Sequence, residues 1–505
     1  MTKGKRWRKL AVRGIISLSC LTAGCSLMNK GVPPPPESQP YKLVLVYPGV
    51  KVPKDLPLIQ AEMSAYLLHK INAVIELEVI DWNAWADKSK MMRAAGEPFD
   101  LMFTAGWDNY ASSVYKEQFV PLNDLLQQYG KDITDALGSD FLSGSQIHGR
   151  NYAVPTVKEF AQSYGLLMRK DLAETYKFNS TGIKSLDELE IMLRTLKVNE
   201  PNISPLVGSR FTNALLTGHY DLFASNIGIA YNSNKPQAIN ITEDAPYIEI
   251  MRRMHKWYKE GLIHKDSGTM EEDQSWHFIR NGKGAAIGSP LKPGKDKEMS
   301  VSLGIDLVQF EALPPVTTSI EATGAMLAIS RTSRNKETAM RFLNLLYSDP
   351  TLLNLLDWGI EGKHYVKKLN SRIGYPEGVG AGGVGFSNNG WMFGNQKLAY
   401  LWENEDPDKW RNFERFNDAA YKSIALGFFF NSEPVKTELA NLAIVDREYQ
   451  KGLYSGTINP DTTLPLYIKQ QKAAGIDKVM VEVQKQLDAW VLLKQNRDLQ
   501  HAEAR

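Results

Sequence analysis

Cysteine is almost missing from this 505-residue chain: Cys20 and Cys25 are the only two. From residue 26 onward no disulfide, cysteine metal site or catalytic thiol can be built. A chain this long does without disulfides because it can bury a large core. Long apolar runs are missing as well. The run at 14–23 covers about ten residues, roughly half of a bilayer-spanning helix. Nucleotide, metalloprotease and serine-hydrolase patterns are absent: there is no G-x-x-x-x-G-K-[ST], no H-E-x-x-H and no G-x-S-x-G. The histidines are scattered, and the closest pair, His255 and His264, lacks zinc spacing on one helix face. Gly378, Gly380 and Gly383 match G-x-G-x-x-G. Tyr375-Pro376-Glu377 precedes them and more glycine follows, so they read as a loop and not as a dinucleotide turn. No carboxylate pair can be nominated for glycoside hydrolysis, because such a pair is defined in space. The expectation is a non-enzyme without cofactor or metal; a polysaccharide hydrolase is the catalytic rival.

Charge of one sign is concentrated at the start. Lys3, Lys5, Arg6, Arg8, Lys9 and Arg13 precede the apolar run, which is the layout of a secretory signal peptide. The whole chain carries 59 basic and 57 acidic residues, or +2; without six basic residues it would carry −4. A mildly acidic body with no basic tract argues against a nucleic-acid partner. Leu21-Thr-Ala-Gly-Cys25 resembles the lipobox of bacterial lipoproteins. The resemblance implies cleavage before Cys25 and lipid on its thiol. Residues 1–24 are then a signal peptide. Residues 25–40, with Pro33-Pro34-Pro35-Pro36, form a semi-rigid tether on the outer face of a Gram-positive cell membrane.

The body reads as alternating strands and helices, which predicts α/β units and a largely parallel sheet. Strands are expected at 42–47, 75–80, 99–103, 164–168 and 325–329. Helices are expected at 58–71, 82–95, 185–197, 247–262 and 335–347. Asp349-Pro350 supplies an N-cap and an N1 proline for a further helix reaching Trp358. Residues 278–287 read as a helix end, a glycine turn and a strand. Residues 370–396, rich in Gly and Asn, read as a long loop. The segment 428–500 ends in a helix with Val479, Val483, Leu487 and Trp490 on one face.

Several stretches resemble extracellular solute-binding proteins of ABC transporters: Phe278-Ile-Arg-Asn-Gly-Lys-Gly-Ala-Ala286, Tyr152-Ala-Val-Pro155 with Tyr164-Gly-Leu-Leu-Met-Arg-Lys-Asp-Leu172, and Asn335-Lys-Glu-Thr-Ala-Met-Arg-Phe-Leu343. Gly359-Ile-Glu-Gly362, Gly427-Phe-Phe-Phe-Asn431 and Glu482-Val-Gln-Lys-Gln-Leu-Asp-Ala-Trp490 are similar to LipO-type lipoproteins, which carry a C-terminal domain of unknown function. The resemblance implies an α/β, two-lobe, type II periplasmic-binding-protein-like fold with an interlobe cleft and a C-terminal helical or mixed extension. Lobe one would be 41–155 plus 315–348, lobe two 160–310 plus 350–425, and the extension 428–500. The implied function is delivery of a small polar solute, foremost an oligosaccharide, to an ABC permease by a monomeric protein. A peptide or polyamine is the rival ligand, and a sensory or scaffold lipoprotein the rival role.

Ligands of open α/β lobes sit beyond the carboxyl ends of strands. Trp107 and Asn109 follow such a strand. Tyr152 and Glu159 flank the first crossover. Trp276 precedes the Gly282 turn, Trp358 and Glu361 end a helix, and Trp391 and Asn395 lie in the Gly/Asn loop. Sugar rings stack on aromatic faces while carboxylates and amides take their hydroxyls. The expectation is that Trp107 and one of Trp276, Trp358 or Trp391 sandwich the ligand.

Overall fold

A computed structural model describes residues 39–503, apart from 180–182, 184, 370–371 and 381–382. The leader, Cys25 and the proline run lie outside the described residues.

Two five-stranded sheets organise the body. The first has the order Ala73–Asp81, Tyr41–Gly49, Leu101–Thr104, Met326–Ile329, Ala153–Pro155. Its opening strand is buried on both faces, with Leu43, Leu45 and Val46 fully enclosed, as a near-continuous apolar run requires. It runs parallel to both neighbours, pairing Tyr41 with Ala73 and Leu45 with Leu101. The second sheet has the order Tyr421–Lys422, Leu307–Thr317, Gln162–Arg169, Gly284–Leu291, Ser204–Val207.

The expectation of largely parallel sheets needs correction. Met326–Ile329 runs antiparallel to both of its neighbours, and Gln162–Arg169 is antiparallel to both of its own. The reason is the crossovers. The chain leaves the first sheet after Pro155, enters the second at Gln162, and returns from Thr317 to Met326, so strands meeting at the crossover oppose each other. We call each sheet with its helices a lobe. A third passage is tied in by the bridge Val157–Asn395 and by Asn417, whose Oδ1 accepts the Phe160 and Ala161 amides at 2.9 and 3.1 Å.

Local signals place the helices. Helix Trp82–Ala95 starts on Asp81, whose side chain accepts from the Asn83 amide, and ends at left-handed Gly96. Helix Pro350–Trp358 starts on Asp349, whose Oδ1 accepts from Thr351 and Leu352. The segment expected to be a long loop is more structured: Arg372–Gly374 joins a three-stranded sheet, Gly390–Met392 forms a 3-10 turn, and Phe386, Met392 and Phe393 are buried.

Three helices, Lys436–Tyr454, Pro460–Ala474 and Ile476–Glu503, close the chain. Val479 and Val483 pack with Ile227 and Leu442, while Leu453, Leu464 and Tyr467 join the core of the second lobe beside Tyr247 and Met254.

Candidate functional site

The strand Leu101–Thr104 ends at Ala105-Gly106-Trp107. A Cβ on Gly106 would stand 2.4 Å from Thr323 Oγ1, so only glycine lets this turn lie against the returning crossover. Trp107 is 47 % exposed, and its indole N–H donates to the Gly324 carbonyl at 2.8 Å. Its ring lies 6.3 Å from that of Trp82, the first residue of helix Trp82–Ala95. On Trp82 stacks Trp391, at 6.2 Å and 14°. Phe103 supports both Trp107 and Trp391 at 5.9 Å. Residues remote in sequence thus form one aromatic platform on the first lobe.

Trp391 also lines a cavity of about 320 Å³ whose other aromatic walls are Trp358, Tyr375, Trp402, Trp410 and Phe413. Its polar floor joins the first crossover to the second lobe. Glu159 accepts from Lys158 at 2.8 Å and meets Lys292 at 3.5 Å; Lys292 meets Glu298 at 3.1 Å. Burial alone would raise the Glu159 carboxyl, but Lys158 and Lys292 outweigh it and hold it down at about 2. Burial opposes the charge on Lys292, yet its two carboxylate partners push its pKa up. Lys409 pairs with Glu405 at 2.5 Å and lies over Trp410 at 5.0 Å. These cations are therefore already neutralised, and the floor offers hydrogen bonds more than net charge.

Behind this wall sits Asp357, fully buried. Its Oδ2 accepts from Gln396 Nε2 at 2.9 Å, and its carbonyl accepts the Asn388 amide at 3.0 Å. Burial pushes its carboxyl up to about 8, against the Gln396 hydrogen bond and the charge of Lys409. The acid is thus neutral at pH 7 and ties the loop that carries Trp391.

The residues singled out from the sequence divide. Glu159, Trp358 and Trp391 line the cavity, and Trp107 belongs to the adjoining platform. Trp276 does not: it is 8 % exposed inside the second lobe, packed with Val207, Ile279 and Ile287. It cannot be the second face of a sandwich there. Glu361 is half-exposed and paired with Lys367 at 2.8 Å, away from the lining. Asn109 is exposed at φ 59°, and Tyr152 packs on the core of the first lobe. Asn395 accepts the Lys397 amide at 3.2 Å, and its neighbour Gln396 lines the cavity instead. Trp82, Tyr375, Trp402, Trp410, Lys292 and Asp357 were not anticipated. The aromatics interleaved with charge at 400–413 were the legible signal for Trp402 and Trp410.

Comparison with known proteins agrees with this architecture. Residues 65–351 match the family model of bacterial extracellular solute-binding proteins, and residues 424–492 match a domain of unknown function, DUF3502. A carbohydrate ABC transporter substrate-binding protein of Streptococcus pneumoniae serotype 4 is 26% identical over 96% of this chain and 99% of its own. The crystal structure of the N-glycan transport solute-binding protein NgtS from Streptococcus pneumoniae superposes with a TM-score of 0.79 at 25% identity, covering 90% of this chain and 100% of that one. An HMO-binding, ABC-transporter-associated solute-binding protein of Bifidobacterium longum infantis shares the fold, with a TM-score of 0.60 at 16% identity over 90% and 99% of the two chains. With the family model covering more than half of its length, the chain belongs to the bacterial extracellular solute-binding proteins, two-lobed α/β proteins that bind solutes for transport and catalyse no reaction.

Proposed function

We propose that this chain is the carbohydrate-binding subunit of an ABC importer, holding an oligosaccharide between its lobes. The observation that carries the reading is the run of indoles Trp107, Trp82 and Trp391 leading into a cavity walled by Trp358, Trp402 and Trp410. Sugar rings present apolar C–H faces to such surfaces and hydroxyls to the amides and paired charges of the floor. The buried indole N–H of Trp358 has no acceptor among the described residues. The relative NgtS was crystallised with Man1GlcNAc and Man5GlcNAc, so glycans of mannose and N-acetylglucosamine are the first to try.

Binding would work through lobe closure. A ligand touching Trp391 on one side and Lys292 on the other favours the closed form by its differential affinity for it. The permease then reads the closed form. The anchor belongs to the same proposal: lipid on Cys25 keeps the protein at the membrane.

The test is thermal. A glycan at 100 times its Kd adds about 2.7 kcal/mol of stability, a shift of several degrees. The expected result is a shift with one glycan class, cut to about half or less in Trp391→Ala as affinity falls about 10- to 100-fold. A shift with peptides or polyamines and none with glycans would sink the carbohydrate reading.

A further inference from the structure

A second cavity, of about 540 Å³, lies where the first lobe meets the C-terminal region, and it shares no lining residue with the Trp391 cavity. Its two walls belong to different bodies. The C-terminal helices are fixed to the second lobe: Asn226 Nδ2 donates to Asp446 Oδ1 at 3.1 Å and Tyr467 Oη at 2.8 Å, and Gln484 Oε1 accepts the Ala238 amide at 2.8 Å. Buried apolar side chains extend that seam. Toward the first lobe the polar contacts include Tyr115 Oη donating to the Phe429 carbonyl at 3.2 Å, the ion pair Lys116–Glu433 at 2.9 Å, and the Gly427 amide donating to Ser319 Oγ of the returning crossover at 2.9 Å. The C-terminal region is thus an arm of the second lobe that reaches the first, and the cavity lies beside that contact.

Each wall carries rings and an amide. The first lobe contributes Tyr115, His148 and Gln146; the arm contributes Phe429, Trp490 and Gln486. His148 is presented by a two-residue turn closed by reciprocal Ile147–Arg150 backbone bonds, with φ of 50° at His148 and 77° at Gly149. Such a turn favours Asn-Gly or Asp-Gly, and a non-glycine residue at positive φ is uncommon. Here that position holds an imidazole edge-on to the Tyr115 ring at 5.6 Å. Lys485 and Glu482 in the lining pair with each other at 3.1 Å, so the walls present no net charge from acid and lysine groups. Flat apolar faces and no net charge fit a neutral ring, and Gln486 Oε1, which accepts the Asn431 amide at 2.8 Å, keeps a second lone pair for a hydroxyl on its edge.

We infer that this cavity is a second saccharide-binding site, formed jointly by the first lobe and the C-terminal region. An occupant touching both walls stabilises one lobe angle, so it is linked to the cleft with a reciprocal coupling free energy. The choice of probe rests on the oligosaccharide reading above; the cavity does not.

Calorimetric titration of the full-length protein with Man1GlcNAc, maltotriose and chitobiose tests it. Variants Trp391→Ala, Trp490→Ala and Ala489→Trp are compared; Ala489 is exposed at the cavity wall, so the added indole plugs it without removing a buried group. The expected result is two classes of site for one glycan. One class weakens at least tenfold in Trp490→Ala and Ala489→Trp, the other in Trp391→Ala. A single class, lost in Trp391→Ala and unchanged in Ala489→Trp, overturns the inference and leaves the cleft reading standing. A single class lost in Ala489→Trp and retained in Trp391→Ala upholds the inference and removes the cleft reading. No binding of any of the three glycans overturns both.

Discussion

At the scale of single residues, burial decides chemistry. Asp357 and Glu159 are both carboxylates near one cavity, yet they titrate in opposite directions. Glu159 has two lysines and stays ionised, whereas Asp357 has an amide and little water and stays protonated. This fixes a pH dependence. Below about pH 4 the Asp357 carboxyl is protonated in both folded and unfolded chains. Between about pH 4 and 8 the unfolded chain gives up that proton and the folded chain keeps it, so stability falls as pH rises and levels off above about 8. Asp221, pushed to about 7 by burial, adds a slope of the same sign. In Asp357→Asn the amide keeps its oxygen toward Gln396 and cannot titrate. Melting curves from pH 5 to 8 should show a shallower decline in the variant, with its melting point a few degrees above that of the parent at pH 8. A parallel decline would show that Asp357 ionises freely in the folded protein.

At the scale of elements, caps and platforms were legible to different degrees. Asp349-Pro350 announced a helix start from sequence, and the carboxylate does cap it. The same side chain also accepts from Tyr66 Oη at 2.8 Å and meets Lys70 at 3.1 Å, tying helix Leu56–Ile71 to helix Pro350–Trp358. No local pattern carries that second role. Asp349→Ala should therefore cost somewhat more than a cap alone, about 1–2 kcal/mol in denaturant unfolding. A change within about 0.3 kcal/mol would mean the tie contributes nothing. The segment 370–396 reads as a long loop because it is rich in Gly and Asn. Its buried anchors, Phe386, Met392 and Phe393, are too sparse to set up a period, and they hold Trp391 in place. Trp276 shows the reverse failure: its helix has an apolar face, and the indole belongs to that face instead of the cleft.

At the scale of the whole molecule, two lobes and an arm divide the work, and the proposed anchor would set where it is done. The lobes would grip a solute, the arm joins the second lobe to the first, and the lipid proposed on Cys25 would confine the assembly to the membrane. Confinement is testable apart from binding. In a Gram-positive host, labelled palmitate should enter the protein, and Cys25→Ala should appear mainly in the medium while retaining its affinity for glycan. Full retention of the variant on the membrane would exclude Cys25 as the anchor.

The sequence by itself predicted an export signal and determined the order of strands and helices and the family, because those rest on local composition, short periodicities and contiguous motifs. Tertiary structure alone decided which tryptophans meet. Trp82, Trp107 and Trp391 are separated by as many as about three hundred residues, and each could equally have been core. Their convergence depends on where the crossovers return the chain. The state of Asp357 was decided in the same way, since a proton's affinity follows from the dielectric and the neighbours assembled around it, and those come from distant segments.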